Sequence, residues 1–115
     1  MPKRAAGLPK HERLSMPSEF LRVYRLGNVR KTAAVWIYSC KNDLPYSRIG
    51  ISVKNRLCKN LVQRNRIKRI IREVYRLHKQ IFGSGEDVVF VVKSIPEPLD
   101  YSCLCAMLCG SERAQ

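Results

Sequence analysis

Between Leu61 and Arg76 the chain places five arginines and one lysine in sixteen positions, beside a single acid, Glu73. The guanidinium fork matches phosphate oxygens bidentately and stacks on base planes, so this residue type at this density points to nucleic-acid chemistry. Asn65 lies between Arg64 and Arg66. Its amide can donate to phosphate or sugar and accept from a hydroxyl. From Lys54 to Lys79 there are ten bases against one acid. Lys68, Arg72 and Arg76 follow one another at i,i+4, where like charges on a helix cost a few tenths of a kcal/mol. An ordinary solvated face is the bland reading, but solvated faces mix signs. This one does not, and a polyanionic partner would relieve the repulsion.

Other chemistry finds little support. His11 and His78 are the only histidines, and the nine acids are scattered. Neither an acid–base pair nor a protein-held metal site follows from their spacing. Asp43, Glu86 and Asp87 could meet a magnesium ion through phosphate, but no ligand spacing supports it. His78 reads as a packing residue on the apolar side of a long helix. The five cysteines are odd in number, which suits a reducing compartment. Cys105 and Cys109 share a helix face while Cys103 points elsewhere. With no nearby histidine in sequence, they read as small apolar core residues.

These residues must be positioned by one modest domain, since the chain has 115 residues of which 45% are hydrophobic. The net charge of +13 draws nucleic acid, acidic protein or anionic membrane and does not speak to fold. No stretch approaches the roughly 20 apolar residues of a membrane span, and the basic N-terminus lacks the apolar core of a secretory signal. A cytoplasmic protein is expected. Residues 1–14 read as a flexible basic arm, 15–110 as the domain and 111–115 as a disordered tail. A helix is predicted over about 17–26, capped by Ser15 or Ser18 and closed by Gly27 in a left-handed conformation. AAVWIYSC (33–40) and RIGISV (48–53) read as strands. A long helix follows from about 60 to 80, ended by Gly83 and Gly85. DVVFVVK (87–93) reads as a strand covered on both faces, and a short helix spans about 100–109. The order α-β-β-α-β-α predicts an α+β single-domain sandwich of a small mixed sheet with helices.

On the long helix, Ile67, Ile70, Ile71, Val74, Leu77 and Ile81 gather on one face at 3.6 residues per turn. Asn65, Lys68, Arg69, Arg72, Arg76 and Lys79 gather opposite, with Arg64 and Arg66 at the borders. A membrane-surface helix would turn its apolar stripe to lipid, whereas this stripe is needed for the core. A DNA-reading helix would have to enter the major groove, and the order of elements contains no helix-turn-helix.

RNRIKRIIRE, residues 64–73, resembles the RNR signature of the bacterial ribonuclease P protein subunit. The likeness runs from about residue 8 to 109: LPKHERLSMPSEFLRVYRLG resembles the family's opening, AVWIY and IGISV its central strands, DVVFVVK its last strand and LDYSCLCAML its final helix. The resemblance implies the protein subunit of an endoribonuclease holoenzyme that removes the 5′ leader of precursor tRNA. It implies that a large RNA with bound Mg2+ is the catalyst, that the protein alone is inactive, and that it binds no cofactor itself. The implied partners are that catalytic RNA and precursor tRNA, with no membrane and no protein partner required. It also implies a left-handed βαβ crossover, against the usual hand. RNA-subunit contacts carry over to Lys54, Arg56, Lys59 and Asn60 of the basic loop and to Arg64, Asn65, Arg66, Lys68, Arg69, Arg72 and Arg76 of the helix. The leader cleft carries over to Phe20, Tyr24 and Tyr38, with Trp36 as the alternating neighbour of Tyr38 on the same strand face. Core packing is the other reading of these four rings. Ahead of the signature the chain departs from the family, with Lys59 at a glycine position, Leu61 at a small-residue position and a loop about one residue longer. A structural RNA-binding protein, ribosomal for example, with no role in cleavage is the alternative function.

Overall fold

The computed structural model describes residues 9–58 and 60–110. Residues 1–8 of the expected arm, Lys59 of the basic loop and the expected tail 111–115 lie outside the described residues. The main elements are α1 (Pro17–Leu26), β1 (Asn28–Lys31), β2 (Val35–Lys41), β3 (Arg48–Val53), α2 (Leu61–Leu77), β4 (Glu86–Val92) and α3 (Tyr101–Leu108). The strands form one mixed sheet in the order β1-β2-β4-β3. β1/β2 and β2/β4 are antiparallel and β3/β4 is parallel. The parallel pair is joined through α2, so β3–α2–β4 is a βαβ unit. The α+β sandwich expected from the sequence is present.

β4 is an inner strand, and its residues alternate between two apolar layers. Val88, Phe90 and Val92 join Val35, Ile37, Ile67, Ile71, Val74, Tyr75, Leu104 and Leu108 under α2 and α3. Val89 and Val91 face the other way, toward Leu14, Val23 and the half-buried Phe20, Trp36 and Tyr38 under α1. Two covered faces explain the unbroken apolar run. Ile67, Ile71 and Val74 are fully buried, a burial that stabilises by roughly 1.5–3 kcal/mol per side chain.

Several expectations need correction. β1 was absent from the sequence reading because NVRK is an edge strand whose four side chains are all exposed, so it has no hydrophobic alternation to detect. The order of main elements is therefore α-β-β-β-α-β-α. Residues 9–14 do not belong to a loose arm: Lys10–Glu12 form a 3-10 turn, the Leu14 N–H donates to Ile49 O at 2.7 Å, and Leu14 is buried. Gly27 is extended, with φ −88°, and is not a left-handed cap. A Cβ there would lie 2.4 Å from Ser39 O, so close approach to β2 is what demands glycine. α2 ends at Leu77 and hands over to a 3-10 turn, Lys79–Phe82, before Gly83 at φ 85°. The stripe therefore recruits Tyr75, while Leu77 and Ile81 are 50% and 46% exposed.

Neither serine caps α1. Met16 occupies the N-cap position, and the Glu19 carboxylate turns back to accept from the N–H groups of Ser15 and Met16, both at 3.0 Å. The Met16 N–H, aided by the Ser15 N–H and the Arg48 guanidinium, holds Glu19 below the ordinary carboxylate range. A carboxyl with a depressed folded pKa stabilises the fold above its ordinary pKa, and that contribution disappears as pH falls through the depressed value. Glu19→Gln is thus expected to lower Tm at neutral pH, and the gap to wild type should close in acid. A gap unchanged between neutral and acidic pH would remove the ionised cap from the account.

Candidate nucleic-acid interface

The basic loop meets α2 at Asn60, whose Oδ1 accepts the Gln63 N–H at 2.9 Å as the N-cap. Its carbonyl oxygen is thus committed to starting the helix. Ahead of it, Lys54 and Arg56 are exposed around the 3-10 turn Asn55–Leu57. Along α2, Asn65, Arg66 and Arg69 are exposed, and Arg64, Lys68, Arg72 and Arg76 are half-buried. Arg66 also donates to Leu99 O at 2.9 Å, tying the helix to the connection before α3. Arg76 is less available than expected, because its guanidinium holds Glu73 one turn back, Nε to Oε1 at 3.3 Å. Lys79 has left the helix and pairs with Glu12 at 2.8 Å.

Lys68 and Arg72 lie on one flank of α2, with Arg64 and Arg13 as cationic neighbours. Burial, then the charges of Arg64 and Arg72, lowers the Lys68 pKa. Burial, then Arg13, lowers that of Arg72. Cations crowded in this way gain from a bound anion.

The second surface is the sheet face under α1. Trp36 pairs with Val91 and Tyr38 with Val89 across β2 and β4, which puts both rings on that face. Tyr24 meets Tyr38 edge-on with centroids 5.1 Å apart. Burial raises the Tyr24 pKa against a hydrogen bond with Ser52, yet the side chain is still 37% exposed. Phe20 lies over Gly50, where a Cβ would come 2.5 Å from its Cζ. Phe20, Tyr38 and Trp36 are half-buried, so each packs on the core and keeps part of its surface accessible. Two residues absent from the sequence reading belong here: the ammonium groups of Lys31 and Lys93 sit 4.3 and 4.4 Å from the Trp36 ring centroid. Lys31 reaches Trp36 through the β1/β2 register, which the sequence did not reveal because β1 itself was hidden.

The two surfaces meet. A cleft of about 230 Å³ lies at the β3 edge of the sheet, lined by Arg13, Phe20, Gly50, Lys68 and Arg72 among others. Phe20 from α1 and Lys68 and Arg72 from α2 thus share one depression. Arg13 joins them, although the sequence had placed it in the loose arm.

Residues 8–110 match the sequence profile of the family described as Ribonuclease P. The chain belongs to the ribonuclease P protein family. Among curated relatives, the "Ribonuclease P protein component" of Syntrophus aciditrophicus is 36% identical over 101 residues, 88% of this chain and 84% of that protein. That of Desulfotalea psychrophila is 39% identical over 110 residues, covering 90% and 91%. The Staphylococcus aureus RNase P protein superposes with a TM-score of 0.78 at 27% identity over 90% of this chain and 94% of that one. The Thermotoga maritima RNase P protein gives 0.74 at 30% identity, covering 84% and 91%. The chain is accordingly a ribonuclease P protein component, a tRNA-processing subunit of an endoribonuclease that works with RNA. Among the described residues, no helix is long and apolar enough to cross a membrane.

Five carboxylates of this ribonuclease P protein are engaged within the fold. Asp87 is taken by Arg48 and Asn42, Glu19 by Arg48, Glu12 by Lys79 and Glu73 by Arg76. Asp100 caps α3 by accepting from the Cys103 N–H. His78, distant from the cysteines in sequence, is near them in space, its Nε2 4.0 Å from Cys105 Sγ.

Proposed function

We propose that this ribonuclease P protein binds the catalytic RNA along α2 and holds the 5′ leader of precursor tRNA against the α1 face of the sheet, so that the RNA removes the leader and generates the mature 5′ end. The observation that carries the reading is the shared cleft, where Phe20 adjoins Lys68 and Arg72 beside the Tyr24–Tyr38 pair. A single strand is held by such a mixture, with bases stacked on rings and phosphates on cations. Lys54, Arg56, Lys59, Asn60, Arg64, Asn65, Arg66 and Arg69 extend the polyanion surface toward the RNA subunit, and Arg76 contributes after giving up Glu73. Hydrolysis is assigned to the RNA and its Mg2+, a reading supported by the engagement of Asp87, Glu19, Glu12, Glu73 and Asp100 with cations and backbone of the chain itself. The compartment is the cytoplasm, where precursor tRNA is available in bacteria.

One experiment tests both halves. Purified protein, the cognate RNA subunit and a 5′-extended precursor tRNA are mixed at low magnesium, and cleavage is followed. Protein alone is expected to cut nothing, while protein with RNA cleaves faster than RNA alone. Replacing Phe20, Tyr24 or Tyr38 with alanine is expected to weaken holoenzyme binding of precursor tRNA by roughly 1–3 kcal/mol per lost stack. Binding of mature tRNA, which lacks a leader, should not change. A structural RNA-binding protein would bind RNA and leave cleavage untouched. Equal losses for precursor and mature tRNA would assign the rings to the core alone.

A further inference from the structure

At the far end of α2, three ligand-type side chains converge on a place that the proposed RNA surfaces do not use. Cys105 on α3 and Cys109 at its C-cap stand one turn apart with their sulfurs 4.0 Å from each other. His78 closes α2, and its Nε2 lies 4.0 Å from Cys105 Sγ. One ligand atom from each of the three residues falls within 4.8 Å of every other. Tetrahedral zinc, with bonds of about 2.3 Å to sulfur and 2.0–2.1 Å to nitrogen, holds such atoms about 3.5–3.8 Å apart. Small side-chain rotations close the difference.

The second ring nitrogen supports the assignment independently. His78 Nδ1 is 3.0 Å from Val74 O. A carbonyl oxygen only accepts, so in the neutral ring Nδ1 carries the proton and Nε2 presents its lone pair toward the sulfurs. A histidine oriented by a backbone carbonyl in this way is the usual outer arrangement of a metal-binding imidazole. Cys109 also borders an open cleft of about 530 Å³, which gives an ion a way in and a water molecule room to complete the coordination.

We propose that His78, Cys105 and Cys109 bind a thiophilic divalent cation, zinc by class, which clips α3 to the end of α2. Thiolates and imidazole suit zinc and do not suit magnesium. On binding, each thiol gives its proton to solvent and its sulfur lone pair to the cation, so two protons are released and two Zn–S bonds form with one Zn–N bond. Such a clip would fix the helix pair beneath the core without touching the basic flank, so it does not depend on the RNA reading.

The test uses the full chain, reduced and freed of metal with a chelator. Zinc chloride at about a hundredfold its dissociation constant is expected to raise Tm by about 5–10 °C, the shift being trimmed by whatever affinity the unfolded thiols have. Cobalt(II) should bind at one equivalent, with tetrahedral visible bands and a near-ultraviolet thiolate charge-transfer band. Cys105→Ser and Cys109→Ser should each about halve that charge-transfer band, and His78→Ala should weaken binding while keeping it. Cys40→Ser, Cys58→Ser and Cys103→Ser should leave it intact, which separates this site from random thiol binding. Chelated Tm values of the variants control for folding. Absence of both the zinc shift and the cobalt bands in reduced wild type would overturn the proposal. So would a charge-transfer band that survives in the Cys105→Ser, Cys109→Ser double variant, or a Cys105–Cys109 disulfide whose reduction restores no metal uptake.

Discussion

Replacing Arg64, Lys68, Arg69 and Arg72 together by alanine is expected to lower affinity for the RNA subunit by about 10²–10³ at 0.15 M salt. Each phosphate neutralised contributes about 0.7–0.9 to the slope of log affinity against log salt, which amounts to about four- to sixfold per contact at that concentration. The slope itself should fall by about three units. Arg66 is spared because its bond to Leu99 O would confound the measurement. The helix should tolerate the change, since alanine is the strongest helix former and crowding among Arg64, Lys68 and Arg72 is removed. A salt titration of RNA binding, with circular dichroism as the folding control, reads both quantities. An undiminished slope in a folded variant would place the RNA on another surface.

Asp87→Ala is expected to destabilise the fold by about 3 kcal/mol, the low end for a broken buried ion pair, and to lower Tm by about 12 °C. Asp87 is 1% exposed. Its two oxygens accept from Arg48 Nε at 2.9 Å and Nη2 at 2.8 Å, from Asn42 Nδ2 at 2.9 Å and from Arg22 Nη1 at 3.4 Å. The bond to Asp87 is the main reason the Arg48 guanidinium clings to its proton more tightly than usual. Removing the carboxylate leaves a cation 22% exposed without its bidentate partner, and water recovers only part of the loss. Arg48 also holds Glu19 at 3.2 Å, so α1 should loosen over the sheet. Thermal unfolding reads the stability, and a Tm within 2 °C of wild type, roughly 0.5 kcal/mol, would show that the network is not holding β3, β4 and α1 together. Asp87→Asn should fall between the two, since an amide oxygen can still accept from Arg48.

The sequence by itself determined the chemistry and most of the elements. Five arginines in sixteen positions, interleaved with isoleucines at helical spacing, could only be an amphipathic helix with a basic flank. RIGISV and PSEFLRVYRL matched their elements to the residue, because alternation and helical spacing are local signals. The RNR run, with its neighbours in order, was enough to indicate the family. Tertiary structure decided what local pattern cannot hold. β1 exists because its backbone completes the edge of β2, although its four residues are exposed. Gly27 is required by a backbone oxygen of β2 and not by its own dihedral angle. Lys79 was spent on Glu12, 67 residues away. Arg13 came to the cleft because Leu14 bonds to Ile49 of β3. His78 met Cys105 and Cys109 only because α3 packs on α2, bringing together groups 27 and more residues apart. Such pairings follow from the register of strands and the docking of helices, whose energies come from contacts distant in sequence, and no window of neighbouring residues encodes them.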